Sequence, residues 1–199
     1  SLKSLFQGGL RFDASEEYLE FRFLVLNAAM ITGVLFTAVF IALDWFGVNS
    51  LGWGQLLATE INCVLTAALV FVLRGRKQLY GLVSALFVVV NYATFLSALL
   101  LVVNDELRVI WFFVEVVFIY ILLGLRAGVA MTVATMASIL AINPFIAIPF
   151  SRNAMTTLLI GLGVTSTLSY VYTKRAQSFF QRMRQGMAEL QELDEKDAL

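Results

Sequence analysis

Six long apolar runs leave this chain few folds to choose from. They occupy residues 23–43, 53–73, 79–103, 109–123, 127–150 and 154–172. A helix crossing the bilayer core takes roughly 20 apolar residues, with a range of about 17 to 25. Four runs meet that length with no charged residue. The second meets it with Glu60 inside, and the fourth, about 15 residues long, is the shortest and contains Glu115. Of the 199 residues, 60% are hydrophobic and 14% charged. A soluble domain carries about half and about a quarter of each. The expected fold is all-α: a polytopic membrane protein of six transmembrane helices.

Charge gives the orientation. Lys3, Arg11 and Arg22 precede the first run, and Arg74, Arg76 and Lys77 follow the second. Arg126 follows the fourth run, and Lys174, Arg175, Arg182, Arg184 and Lys196 follow the sixth. Only Arg108 and Arg152 fall on the other side, so the division is twelve against two. Basic residues stay on the cytoplasmic side of short loops, which predicts both termini in the cytoplasm of a multi-pass membrane protein. Trp45, Trp53 and Trp111 would then mark the outer interface, and Tyr80, Tyr120, Tyr170 and Tyr172 the inner one. The outer connections, 47–52, 104–108 and 151–153, are too short for an extracellular binding domain.

Composition excludes several chemistries. There is no histidine, which removes His-ligated haem, zinc or copper and every Ser-His or Cys-His arrangement. The single cysteine, Cys63, sits inside an apolar run, so there is no disulfide framework. A net charge of zero suggests no nucleic-acid partner. The first twenty residues are polar, and no signal peptide is visible.

Polar residues inside the spans are the candidate site. An ionisable side chain in a membrane helix costs roughly 2.5–3.5 kcal/mol and usually faces protein or water. Asp44 beside Trp45 fits a boundary position. Glu60 and Glu115 each lie seven residues below an outer landmark, Trp53 and Arg108, and so share a depth of about 10 Å. Arg108, Trp111 and Glu115 fall on one helix face by their spacing of three and four. Asn91 sits midway along the third span, and Asn143 about 13 Å below Arg152 if the helix continues, with a kink expected at Pro144. Two readings follow. One is an outward-open cavity lined by Glu60, Asn91, Glu115 and Asn143, binding an unknown small molecule or ion. Two carboxyls held together away from water do not both ionise readily, which offers a switch. The other is interhelical hydrogen bonding that only holds the bundle together. Ala130, Ala134, Ala137 and Ala141 are expected to mark close packing of the fifth helix, and Gly161 and Gly163 that of the sixth.

Both ends carry amphipathic signals. Ser15 reads as an N-cap with Glu16 and Glu17 in the first helical turn. It starts either an interfacial helix or a plain polar lead-in. In the tail, Ala176, Phe180, Met183, Met187 and Leu190 are spaced four, three, four and three, a heptad seam that implies a parallel homodimer. Leu193 arrives one residue early and Asp194 takes the next seam position, which breaks the register. With no proline between them, the sixth span and the tail form one rod. The alternative is a short helix lying on lipid. The chain divides into a cytoplasmic segment at 1–22, a membrane sensor domain at 23–173 and a dimeric signalling helix at 174–199.

The closing segment, Glu189 to Asp197-Ala198-Leu199, resembles the linker that leads into GGDEF domains. That family opens with D-x-L-T-G-L-x-N-R, and Asp197, Ala198 and Leu199 match its first three positions. The resemblance implies a sensor region cut just before a diguanylate cyclase. Such enzymes join two GTP into cyclic di-GMP at a dimer interface. GTP and magnesium would belong to that further domain, and this stretch would hold no catalytic residue, cofactor or metal. Similar six-span modules precede histidine kinases and membrane adenylate cyclases. A small transporter is a further alternative, but one proline-broken helix and no internal repeat weigh against it. A membrane enzyme is disfavoured by the missing histidine and acidic clusters.

Overall fold

The computed structural model describes residues 10, 12–13, 16–102, 105 and 107–197, with the backbone alone at 188 and 190–197. Expectations resting on Ser15, on the side chain of Leu190 and on Ala198 and Leu199 lie outside the described residues. Six α-helices and no strands occur among the described residues. They are α1 (Glu17–Trp45), α2 (Trp53–Leu73), α3 (Tyr80–Leu101), α4 (Ile110–Leu123), α5 (Leu125–Ile142) and α6 (Arg152–Asp197). All but α4 are long and apolar enough to cross a membrane. At 14 residues α4 is about 21 Å long.

The shortest helix is the centre of the bundle. Its Leu122 packs with Phe23, Leu26 and Met30 of α1 and with Leu73, Tyr80, Val83 and Phe87 of α2 and α3. Its Phe112, Val116 and Tyr120 pack with Leu99, Ile139, Leu158 and Leu162 of α3, α5 and α6. Two apolar cores therefore meet on α4, which also keeps an exposed edge at Ile110, Val114 and Val117.

One residue joins α4 to α5. Gly124 has φ 91° and ψ −178°, a conformation open essentially to glycine alone. This abrupt turn leaves the last carbonyls of α4 without helical partners. Arg22 supplies them from α1, donating from Nε to the Ile121 carbonyl at 3.1 Å and from Nη2 to the Leu122 carbonyl. The Tyr80 hydroxyl donates to the same Leu122 carbonyl at 3.0 Å. A cation at a helix C-terminus is also favoured by the helix dipole. The Arg22 guanidinium lies 5.0 Å from the Tyr80 ring centroid and 5.5 Å from that of Tyr18. Nearby, Lys77 pairs with Glu16 at 2.5 Å. The hydrogen bond from Lys77 holds the Glu16 carboxyl below its ordinary range.

Several expectations are corrected. Pro144 does not kink a continuing helix. It has no N–H to donate, and α5 ends at Ile142 in a 3-10 turn, Asn143–Phe145. The alanines of α5 are exposed at 130, 134, 137 and 141. Its buried stripe is Gly128, Thr132, Thr135 and Ile139 instead. Trp45, Trp53, Tyr170 and Tyr172 are exposed. Tyr80 and Tyr120, by contrast, are buried and hydrogen-bonded, because each hydroxyl has found a partner inside the bundle. The unbroken α6 runs 46 residues, about 69 Å. The partly buried Phe180 ring on it packs 5.5 Å from Tyr18 and 5.9 Å from Phe21 of the same chain.

A Cβ at Gly128 would fall 2.4 Å from the buried Tyr120 ring. Overpacking of this kind costs about 1–3 kcal/mol. Gly128→Ala should therefore lower the melting temperature in detergent, whereas Gly33→Ala, with open space around it, should not. Equal melting of the two variants would contradict this packing.

Candidate ligand cavity

Polar side chains recur along α2 at Gln55, Thr59, Asn62 and Thr66, spaced four, three and four, and all are buried. This spacing makes one stripe on a helix, and the stripe faces α3. Asn62 Nδ2 donates to Asn91 Oδ1 at 3.3 Å and to Thr94 Oγ1 at 2.9 Å. Ser97 Oγ donates to Gln55 Oε1 at 2.8 Å. Thr66 Oγ1 donates to Asn62 Oδ1 at 3.3 Å, and Asn91 Nδ2 to the Phe87 carbonyl at 2.8 Å. The ladder consumes its own amide oxygens and locks α2 onto α3.

Beside this ladder lies a cavity of about 590 Å³. Gln55, Thr59, Asn62, Asn91 and Thr94 form its polar back wall. One side wall is α1, from Val25 through Thr32, Phe36 and Phe40. The other is α4, where Trp111, Val114, Glu115 and Phe118 share one face. The remainder of the lining is apolar, apart from Thr37 on α1 and Asp105 at the end nearest Leu51 and Val102. Trp111 is stacked on Phe95, with ring centroids 6.0 Å apart, and meets Phe40 edge-on.

Glu115 is the outlier. It is 4% exposed, and its Oε1 has no hydrogen-bond partner among the described residues. An unsatisfied buried polar atom costs about 1–3 kcal/mol. The α2–α3 ladder beside it shows that such partners are readily built in this bundle.

The structure brings Asn91, Trp111 and Glu115 together and leaves the other expected site residues outside. Glu60 does not line the cavity. At 3.6 residues per turn it lies about 130° round α2 from the polar stripe, so it points away from the cavity that Glu115 lines. Arg108 precedes α4, in the turn before Ile110, where helical spacing no longer applies. Its guanidinium lies 5.1 Å from the Phe150 ring centroid, and Nη1 donates to the Asp105 carbonyl at 2.9 Å. Asn143 closes the α5–α6 connection, its Oδ1 accepting from the Phe150 N–H at 2.8 Å. The missed residues, Gln55, Thr59, Asn62 and Thr94, are uncharged. The four-three-four spacing on α2 was the signal that could have found the first three, while Thr94 lies on α3.

A contact at the other end of α1 completes the geometry. Gln177 Nε2 of α6 donates to the Tyr18 hydroxyl at 3.2 Å, beside the packing of Phe180 on Tyr18 and Phe21. The helix that walls the cavity also holds the long sixth helix. Comparison with protein-family models, with curated proteins and with solved structures finds no match for this chain.

The ladder and the cavity carboxyl differ in what they do for stability. Replacing Asn62 by Leu strands Asn91 and Thr94 in the interior and should lower stability by about 1–3 kcal/mol. Replacing Glu115 by Leu removes an unmet acceptor and should leave the melting temperature unchanged or higher, as at sites kept for function. A large loss of stability in Glu115→Leu would make that carboxyl structural.

Proposed function

We propose that this chain is a membrane sensory module. Its six helices sit in a bacterial inner membrane with both termini cytoplasmic, and a small molecule binds between α1 and α4. The occupied cavity shifts α1, and α1 passes the shift to α6. That helix joins a parallel homodimer through Ala176, Phe180, Met183, Met187 and Leu190 and sets the activity of a C-terminal diguanylate cyclase supplied with GTP and magnesium.

The observation that carries this reading is the double role of α1. From Thr32 to Phe40 it walls the cavity, and at Tyr18 and Phe21 it grips α6. A ligand can shift a conformational equilibrium only by contacts that differ between states, and a wall helix tied to the sixth helix gives such contacts a route to it. The apolar outer surface supports the membrane setting: Leu35, Val64, Phe71 and Leu168 are 63–72% exposed. The cyclase output rests on the tail resemblance.

The relay can be locked covalently. In the full-length gene product on a Cys63→Ser background, Tyr18→Cys and Gln177→Cys should form a disulfide. Membrane vesicles given GTP and magnesium should then make cyclic di-GMP at a rate that changes on oxidation and returns on reduction. Complete cross-linking with no change in rate would reject the relay, and no cyclic di-GMP under either condition would reject the cyclase output. Orientation is tested separately. Reporters fused after Leu199 and inserted within 47–52 should signal opposite sides of the membrane, and identical signals would overturn the six-span arrangement.

A further inference from the structure

Resting on the reading of the cavity as a ligand site, we infer that its ligand is a cationic amphiphile, an amine carried on a single alkyl body, which reaches the cavity from the bilayer between α1 and α4. Three features of the cavity select this class.

The first is a buried acceptor left open. Gln55 Oε1 is taken by Ser97, Asn91 Oδ1 by Asn62, and Asn62 Oδ1 by Thr66. Glu115 Oε1 alone among the described buried side-chain oxygens of the lining has no donor. The ligand must bring a donor to that point and needs few others.

The second is charge. Glu115 and Asp105 both line the cavity, and no lysine or arginine does so among the described residues. Arg108, two turns above Glu115, is turned to Phe150 rather than into the cavity. A lining with two carboxyls and no cationic side chain suits an ammonium, which can donate to and pair with a carboxylate, better than a carboxylate or phosphate head. A bare metal ion fits poorly. Hard cations need several oxygen ligands, the amide oxygens are already occupied, and no group of three metal-binding side chains gathers among the described residues.

The third is shape and access. The walls away from the ladder are apolar, including Val25, Ala29, Phe36, Phe87, Val114 and Phe118. Phe36 and Val114 line the cavity and are also 63% and 41% exposed on the flank of the bundle. The opening between α1 and α4 thus faces the surroundings of the apolar surface. An alkyl body would lie along these walls with its ammonium against Glu115.

The test uses the whole chain in nanodiscs of zwitterionic phospholipid, with exposed Trp45 and Trp53 changed to Phe so that Trp111 reports alone. The probes are a terminally brominated dodecylamine, dodecanol and dodecanoate, read by saturable quenching of Trp111 fluorescence. The amine should bind about tenfold or more tighter than the alcohol, since a charged hydrogen bond replaces a neutral one, and the carboxylate should not saturate. Glu115→Gln should bring the amine to the affinity of the alcohol, while Glu60→Gln should not alter it. The parent comparison of amine with alcohol needs no variant, so a misfolded Glu115→Gln would not obscure the result. Equal binding of amine and alcohol, or tighter binding of the alcohol, overturns the cationic class but leaves the ligand cavity standing. Saturable binding by none of the three overturns both.

Discussion

The bundle depends on how the C-terminus of α4 is satisfied. A helix that stops inside an apolar assembly leaves carbonyls with no water to receive. Here Gly124 forces that stop, and Arg22 and Tyr80 answer it from two other helices. The same contacts tie α1, α3 and α4 together at one end. With α4 fixed there, a helix of only 14 residues can stand at the centre and present different faces to two cores and a cavity.

Polar groups in this interior are handled in two contrasting ways. Between α2 and α3 each amide oxygen meets a donor, and the ladder acts as the interhelical hydrogen bonding that one reading of the sequence anticipated. At Glu115 the same interior leaves an oxygen unmet. The contrast lies in position. Asn62 faces a helix in direct contact, while Glu115 faces the space between α1 and α4, which hold together only near their ends. A buried carboxyl oxygen with no donor among the described residues is the feature on which the proposed ligand site stands.

The proposed relay follows from the length of α1. Its 29 residues reach from the cavity wall down to Tyr18, and there it engages Gln177 and Phe180 of α6. The heptad pattern assigned Phe180 to a partner chain. In the fold its ring already has neighbours, which shifts the weight of the proposed dimer seam towards Met183 and Met187. Signal transfer to the tail then has a route through side-chain contact as well as through the continuous backbone of α6.

Residue type and spacing alone determined the helical class, the number of helices and the approximate extent of each, because long apolar runs admit little else. They also marked Glu115, Trp111 and Asn91 as unusual, since polar or amphipathic groups in such runs are costly wherever they face. Only the tertiary structure decided which of these groups meet. Glu60 and Glu115 share an expected depth, yet depth along a helix says nothing of direction around it, and one turns away from the cavity that the other lines. Asn143 was placed by a helix that Pro144 ends, and Arg108 by a helical spacing that begins after it. The uncharged stripe on α2 was legible in its spacing but carries no charge to draw attention. Its role became visible only once α3 stood opposite, because a hydrogen bond needs both partners at a defined distance and the sequence supplies one helix at a time.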